Sequence, residues 1–192
     1  MEFQSCVEIV EKLKLNFWKN KKVLVTGSKG FKGSWLCFLL NEIGCKVHGI
    51  GNNTSKNDSL FKLAKIDKFV KNRSIDLNDK NKVLKYINKI NPDIIFHLAA
   101  KPIVSESIIE PYPTLINNFS TTLNILEAFR LSNSKILINI TSDKCYENIG
   151  KKISYKEDDK LGGKDPYSAS KATCEIISNS YLNTYFLNSK NK

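Results

Sequence analysis

Arginine is almost missing from these 192 residues: 28 of the 30 basic side chains are lysine, leaving Arg73 and Arg130. The net charge of +11 would ordinarily raise nucleic acid as a partner, but specific readers of nucleic acid lean on arginine forks. The lysines are scattered among 21 asparagines instead of lining one helix, so no nucleic-acid partner is expected. Closely spaced cysteines are also lacking. Cys6, Cys37, Cys45, Cys145 and Cys174 contain no Cys-x-x-Cys pair, which argues against a metal site and against a disulfide framework and favours reduced thiols in the cytoplasm. No apolar run approaches the ~18 residues of a membrane span, and the first residues mix acids and bases without an apolar core. Neither export nor membrane insertion is expected.

What the sequence does have, 41% hydrophobic and 26% charged residues, suffices for one ordinary core. Residues 1–20 read as an amphipathic lead-in helix, with Val7, Val10, Leu13 and Phe17 at near-helical spacing. Residues 21–192 then alternate strands and helices. Lys22 to Thr26 is a short buried strand, Gly33 to Gly44 a helix ending on a glycine, and Lys46 to Ile50 a second strand. A strand near Ser74 to Ile75 follows, then a helix from Asp79 to Ile90 and a strand from Asp93 to Leu98. A long helix from Tyr112 to Leu131, a strand from Lys135 to Thr141 and a helix from Asp165 or Pro166 past Tyr181 complete the pattern. The Lys-, Asp- and Gly-rich segment Lys151 to Lys164 reads as a linker. Strands separated by helices pair in parallel through right-handed crossovers, so the fold class is α/β: a doubly wound parallel-sheet Rossmann fold.

Gly27-Ser28-Lys29-Gly30-Phe31-Lys32-Gly33 sits between the first strand and its helix. A phosphate-binding turn needs glycine for a positive φ, for close approach of its backbone to a diphosphate, and for tight packing of helix on strand. The helix N-terminus would then present N–H groups and a positive dipole end to the anion. The second strand, however, runs into Gly51-Asn52-Asn53 without the acid that usually holds an adenosine ribose. NAD and NADP are not distinguished by that position.

Thr141-Ser142-Asp143-Lys144 closes the fifth strand, where ligands of open α/β sheets bind. Tyr167 and Lys171 follow at i and i+4, on one face of the last helix. A tyrosine hydroxyl with a pKa near ~10 needs an adjacent cation to act as a base at neutral pH, and Lys171 is the candidate. Together with Phe31-Lys32-Gly33-Ser34-Trp35-Leu36, Phe96-His97-Leu98-Ala99-Ala100-Lys101-Pro102 and Thr141-Ser142-Asp143-Lys144-Cys145-Tyr146, these residues resemble the CDP-glucose 4,6-dehydratases. That group belongs to the extended short-chain dehydrogenases, which share the glycine loop and the Tyr-Lys pair. The Ser-Asp-Lys-Cys-Tyr and Gly-Phe-Lys-Gly-Ser-Trp runs are the specific signals. In the dTDP-glucose relatives a Glu takes the position of Lys144, which favours the CDP-sugar branch.

The resemblance implies an NAD-dependent lyase that dehydrates a nucleotide sugar, CDP-glucose, without net redox change. It implies Tyr167 as base at the sugar 4-hydroxyl, Ser142 as hydrogen-bond donor to the 4-oxygen, and Asp143 as acid for the departing 6-hydroxyl. Lys144 or a neighbour would take the carbon-5 proton, while Lys171 would orient the nicotinamide ribose and lower the Tyr167 pKa. Gly27, Ser28, Gly30, Phe31 and Gly33 would hold the cofactor diphosphate, with Asp76 and Leu77 on the adenine side. Leu98, Ala99, Ala100, Lys101 and Asn118 would line the cofactor channel beside Tyr167 and Lys171. A nucleotide-sugar epimerase would not need Asp143 and Lys144, and a non-catalytic NAD-binding module is the reading outside enzymes.

Two departures from the resembled pattern stand out. Asn118-Phe119-Ser120-Thr121-Thr122 carries Thr121 where the family has a small residue, which predicts altered local packing. The sequence also stops at Lys192, soon after the Tyr-Lys helix. Family members continue into a C-terminal substrate domain, so the expectation is a Rossmann domain truncated before it. Homodimerisation is expected where that C-terminal part is present.

Overall fold

The computed structural model of the chain describes residues 15–52, 59–150 and 154–187. Among the described residues, five strands form one parallel sheet in the order β3-β2-β1-β4-β5. They are β1 (Lys22–Thr26), β2 (Lys46–Ile50), β3 (Lys71–Arg73), β4 (Ile94–His97) and β5 (Ile136–Asn139). Six α-helices accompany them: α1 (Phe31–Glu42), α2 (Leu60–Leu63), α3 (Lys80–Ile90), α4 (Val104–Ile109), α5 (Pro111–Arg130) and α6 (Pro166–Tyr181). The order of strands reverses between β1 and β4, so a crevice opens there at their carboxyl ends.

Alternation along β1 explains why the sheet is covered on both faces. Val23 and Val25 point into a cluster with Cys37, Leu40 and Val47, while Leu24 points into one with Val83, Ile87 and Ile125. In β4, Ile94 and Ile95 divide between the same two clusters. Each fully buried Leu, Ile or Val contributes about 1.5–3 kcal/mol. Helix α3 begins where the Asp79 carboxylate accepts the Lys82 N–H at 3.0 Å, and stops at Asn91 in the left-handed region.

Several boundaries differ from expectation. The third strand is Lys71–Arg73, upstream of Ser74 to Ile75. It pairs at the sheet edge with β2, where polar side chains are tolerated and the apolar signal of a strand is absent. β5 ends at Asn139, so Thr141 to Lys144 lie beyond it, and Asp143–Cys145 form a 3-10 turn. Helix α1 starts at Phe31, two residues before the expected Gly33. Of the lead-in helix, Val7, Val10 and Leu13 fall outside the described residues. Leu15–Phe17 form a 3-10 turn, and Trp18 accepts a hydrogen bond from Cys45 Sγ through its carbonyl oxygen. The expected linker is tied down over its described part, with Leu161 bridging Tyr146 and Gly162 N–H donating to the Cys145 carbonyl. Thr121 is accommodated inside α5, where its hydroxyl donates to the Asn117 carbonyl at 2.7 Å.

No helix among the described residues is long and apolar enough to cross a membrane. Cys37, Cys45, Cys145 and Cys174 are buried free thiols.

Candidate active site

The glycine turn is built on two contacts that only glycine permits. Gly27 has φ +70°, and a Cβ on it would lie 2.9 Å from the Ala99 nitrogen on the β4 side of the crevice. A Cβ on Gly33 would lie 2.1 Å from the Gly27 carbonyl oxygen, so α1 can rest on the turn only without a side chain there. Gly30, expected among the specialised positions, is extended at φ −73° and serves as the N-cap of α1 without a side-chain cap. The first turn of α1 therefore opens on the crevice with bare backbone, as a diphosphate site requires. Phe31 projects outward and is 73% exposed, whereas Ser28 is wholly buried and donates to Asn72 Oδ1 at 2.5 Å.

Opposite the turn, Leu98 to Lys101 form the facing wall of the crevice, with Leu98 and Ala99 close against Gly27. The Ala99 N–H donates to Thr26 Oγ1, and Asn118 clamps Lys101 by accepting its N–H at 2.7 Å and donating to its carbonyl at 3.1 Å. Asp76 is exposed and accepts from Asn78 N and Nδ2, both at 3.0 Å, as an Asx turn does. Leu77 is buried in the core beside Val83 and Ile87.

Helix α6 sits behind this wall. Its N-cap Asp165 accepts from Ser168 N at 2.9 Å, and Pro166 follows at a position that has no N–H to lose. Tyr167 and Lys171 are both buried, at 8% and 6% exposure. Burial pulls the Lys171 ammonium below the usual lysine range, and neighbouring Glu175 counteracts part of that effect. Lys171 Nζ donates to the Ile140 carbonyl at 3.4 Å, and Thr141 Oγ1 donates to the Glu175 carboxylate. These two bonds fix the loop after β5 against the helix. Ser142 caps the following 3-10 turn, with its Oγ at 3.1 Å from Asp143 Oδ1 and 3.3 Å from the Lys144 nitrogen.

A cleft at this point is lined by Asp143, Lys144, Tyr146, Tyr155, Lys164 and Ser168. It brings Asp143 and Lys144 against α6, while Tyr167 and Lys171 are buried in the helix outside its lining. Tyr146 and Tyr155 stack at 5.3 Å in its wall. Tyr155 and Lys164 escaped the sequence reading because they lie in what looked like linker. His97 escaped it too, although a polar residue ending a strand of the central parallel pair is itself a signal.

A parallel sheet reversing at β1/β4, a glycine turn at the end of β1 and a Tyr-x-x-x-Lys helix against the end of β5 define a Rossmann domain of the short-chain dehydrogenase type. Residues 24–191 match the sequence family described as GDP-mannose 4,6-dehydratase, and the chain belongs to that family. It is 38% identical over 172 residues to a CDP-glucose 4,6-dehydratase of Salmonella typhimurium, covering 89% of this chain and 48% of that protein. It is 29% identical to a GDP-mannose 4,6-dehydratase of Yersinia enterocolitica, covering 86% and 46%. Among solved structures, a UDP-glucose 4-epimerase of Thermus thermophilus in complex with NAD superposes with a TM-score of 0.75 at 29% identity, over 85% of this chain and 51% of that one. The chain thus spans about half the length of the relatives it matches.

Proposed function

We propose that this chain is the cofactor-binding and proton-transfer half of an NAD-dependent nucleotide-sugar 4,6-dehydratase acting on CDP-glucose. The observation that carries the reading is the joining of an acid and an amine, Asp143 and Lys144, to the helix of Tyr167 and Lys171. Elimination of water requires an acid for the leaving hydroxyl and a base for the carbon-bound proton, whereas epimerisation at carbon 4 does not. The similarity to the Salmonella typhimurium enzyme supports the same branch.

The glycine turn fits a dinucleotide diphosphate, since Gly27 and Gly33 let the turn close tightly on the start of α1 and Gly30 caps that helix without a side chain. Gly27, Ser28, Gly30, Phe31 and Gly33 would hold it on one side, and Leu98 to Lys101 on the other. Asp76 and Leu77 would belong to the adenine side, and Asn118 would act through Lys101 on the channel wall beside Tyr167 and Lys171. When bound, NAD would accept hydride from carbon 4 and give it back at carbon 6, so that the loss of water involves no net redox change. Tyr167 takes the proton of the 4-hydroxyl, and the ammonium of Lys171 favours its phenolate. Ser142 donates to the 4-oxygen, Asp143 protonates the departing 6-hydroxyl, and Lys144 accepts the carbon-5 proton.

Incubation of the purified chain with NAD and CDP-glucose, read by mass spectrometry, should convert the sugar nucleotide to a product lighter by one water. NAD binding without water loss from CDP-glucose, GDP-mannose or dTDP-glucose would refute activity of this chain and leave a cofactor-binding module. Tyr112, Leu115, Ile116 and Phe119 form an exposed apolar stripe on α5 that supports pairing of two copies. Four unbridged, buried thiols support a reducing cytoplasm.

A further inference from the structure

We propose that Ser107, on α4, is a positioning residue for Tyr167, gripping its peptide nitrogen from outside the helix. The first turn of a helix leaves N–H groups without intrahelical partners. In α6, the Asp165 carboxylate serves one of them, accepting from Ser168 N at 2.9 Å, while the Ala169 N–H already makes the first regular helix bond, to the Asp165 carbonyl at 2.9 Å. Pro166 has no N–H to offer. The Tyr167 N–H faces two acceptors, the Asp165 carboxylate and Ser107 Oγ, to which it donates at 3.2 Å. Ser107 is completely buried. Its one hydroxyl proton goes to the Val104 carbonyl at 2.7 Å, which commits the oxygen to accepting from Tyr167.

The other side of the same residue is held as well. Ser170 Oγ donates to the Tyr167 carbonyl at 2.6 Å and accepts from Asn118 Nδ2 at 2.9 Å. Asn118 also clamps both backbone groups of Lys101, and Lys101 leads through Pro102 and Ile103 directly into α4. Two hydrogen-bonded routes therefore join one loop to one tyrosine, through Ser107 to its nitrogen and through Asn118 and Ser170 to its carbonyl. The loop is the wall facing the glycine turn, so Ser107 ties the placement of Tyr167 to the wall of the cofactor crevice. The catalytic consequence rests on the role proposed for Tyr167. The bracket itself does not.

The test is amide exchange of the full chain followed by NMR, in Ser107→Ala and in the near-isosteric Ser107→Cys, which keeps a weaker acceptor. In Ser107→Ala the Tyr167 N–H should exchange about tenfold faster, as expected for a buried donor that loses one of its two acceptors. Ser107→Cys should be intermediate, and Val25 and Ile95 in the central strands should keep their protection. In turnover, kcat should fall about tenfold at unchanged KM, the effect of a misplaced base, and should add nothing to the loss in Tyr167→Phe. Unchanged protection of the Tyr167 N–H overturns the proposal, as does a loss shared equally by Val25 and Ile95 or a kcat effect additive with Tyr167→Phe. If Ser107→Ala does not fold, normal Tyr167 protection in Ser107→Cys overturns it instead. Lack of turnover in the unmodified chain counts against the dehydratase reading alone, and exchange then decides the bracket.

Discussion

Thr26 Oγ1 and His97 Nδ1 lie 2.7 Å apart at the carboxyl ends of neighbouring strands, in a fully buried position. Thr26 Oγ1 accepts the Ala99 N–H, and its own proton has His97 Nδ1 as its acceptor at 2.7 Å, which leaves Nε2 to carry the imidazole proton toward Thr122 Oγ1 at 3.5 Å. Thr122 and Cys174 continue the chain at 3.3 Å, and Cys174 Sγ donates to the Asn118 carbonyl. Directed this way, each hydrogen is used once, and the glycine turn is linked to both α5 and α6.

The relay requires a neutral ring. Burial pushes the His97 pKa from 6.5 down to about 3, and Lys171 adds to the shift. The unfolded chain binds this proton below pH 6.5 and the folded chain only near 3, so stability is complete above 6.5 and falls as pH drops through that window. His48, lowered by burial and by Lys71 and Lys22, acts with the same sign. Urea midpoints at pH 7.5 and pH 5 should show a clear drop, and His97→Asn should shrink it. An identical drop in the variant would refute the assignment, as would a His97 ring that titrates above pH 5 by NMR.

Gly33→Ala tests the packing of α1 on the glycine turn. The added Cβ meets the Gly27 carbonyl at 2.1 Å, so the helix must shift or the turn must open. Overpacking of this kind costs about 1–3 kcal/mol, and the turn that would hold the diphosphate is deformed with it. A lower melting temperature and a more than tenfold weaker NAD affinity by fluorescence quenching are expected, the latter on the order of the ~1.4 kcal/mol that tenfold represents. Wild-type affinity would mean that the turn does not carry the diphosphate.

The central part of the fold was legible in the sequence because its signals are local. β1 and β2 match their expected limits, since each is a short run rich in β-branched residues that ends at a glycine. Helix α3 matched because Asp79 caps it and its apolar face recurs regularly. β3 was misplaced because Lys71, Asn72 and Arg73 have no apolar pattern; pairing with β2 makes them a strand. The site divides in the same way. Tyr167, Lys171 and the glycines announce themselves by spacing, whereas Ser107, His97 and Cys174 act through contacts between elements distant in sequence. A lone buried serine has no sequence signature for that role.

Glu127 anchors the far end of α6 to α5. Its carboxylate accepts from Arg130 Nε and Nη2 at 2.9 and 2.7 Å, and from the Tyr181 hydroxyl at 3.1 Å. These bonds, led by Arg130, hold its pKa at about 2 instead of 4.5. The folded chain resists a proton that the unfolded chain binds below 4.5, so this contribution is complete above 4.5 and disappears as pH falls toward 2. Glu127→Gln should flatten that part of the acid-unfolding curve while lowering stability at pH 7. An unchanged acid limb would show that the group does not couple to folding.

Tyr167 and Lys171 should separate by what each loses. Tyr167→Phe removes one hydroxyl and leaves the helix backbone intact, so turnover should fall about 100- to 10,000-fold, the range for loss of a general base, with NAD affinity little changed. Lys171→Met removes the buried ammonium and leaves the Ile140 carbonyl without that donor, so it should weaken NAD binding as well as turnover. Burial also makes Lys171 give up its charge at a lower pH than an exposed lysine. With the roles proposed for this pair, Tyr167 would then lose the neighbouring cation, so kcat should decline on the alkaline side at a pH below 10.5. A profile flat to pH 10.5, or full activity in Tyr167→Phe, would remove this pair from the chemistry.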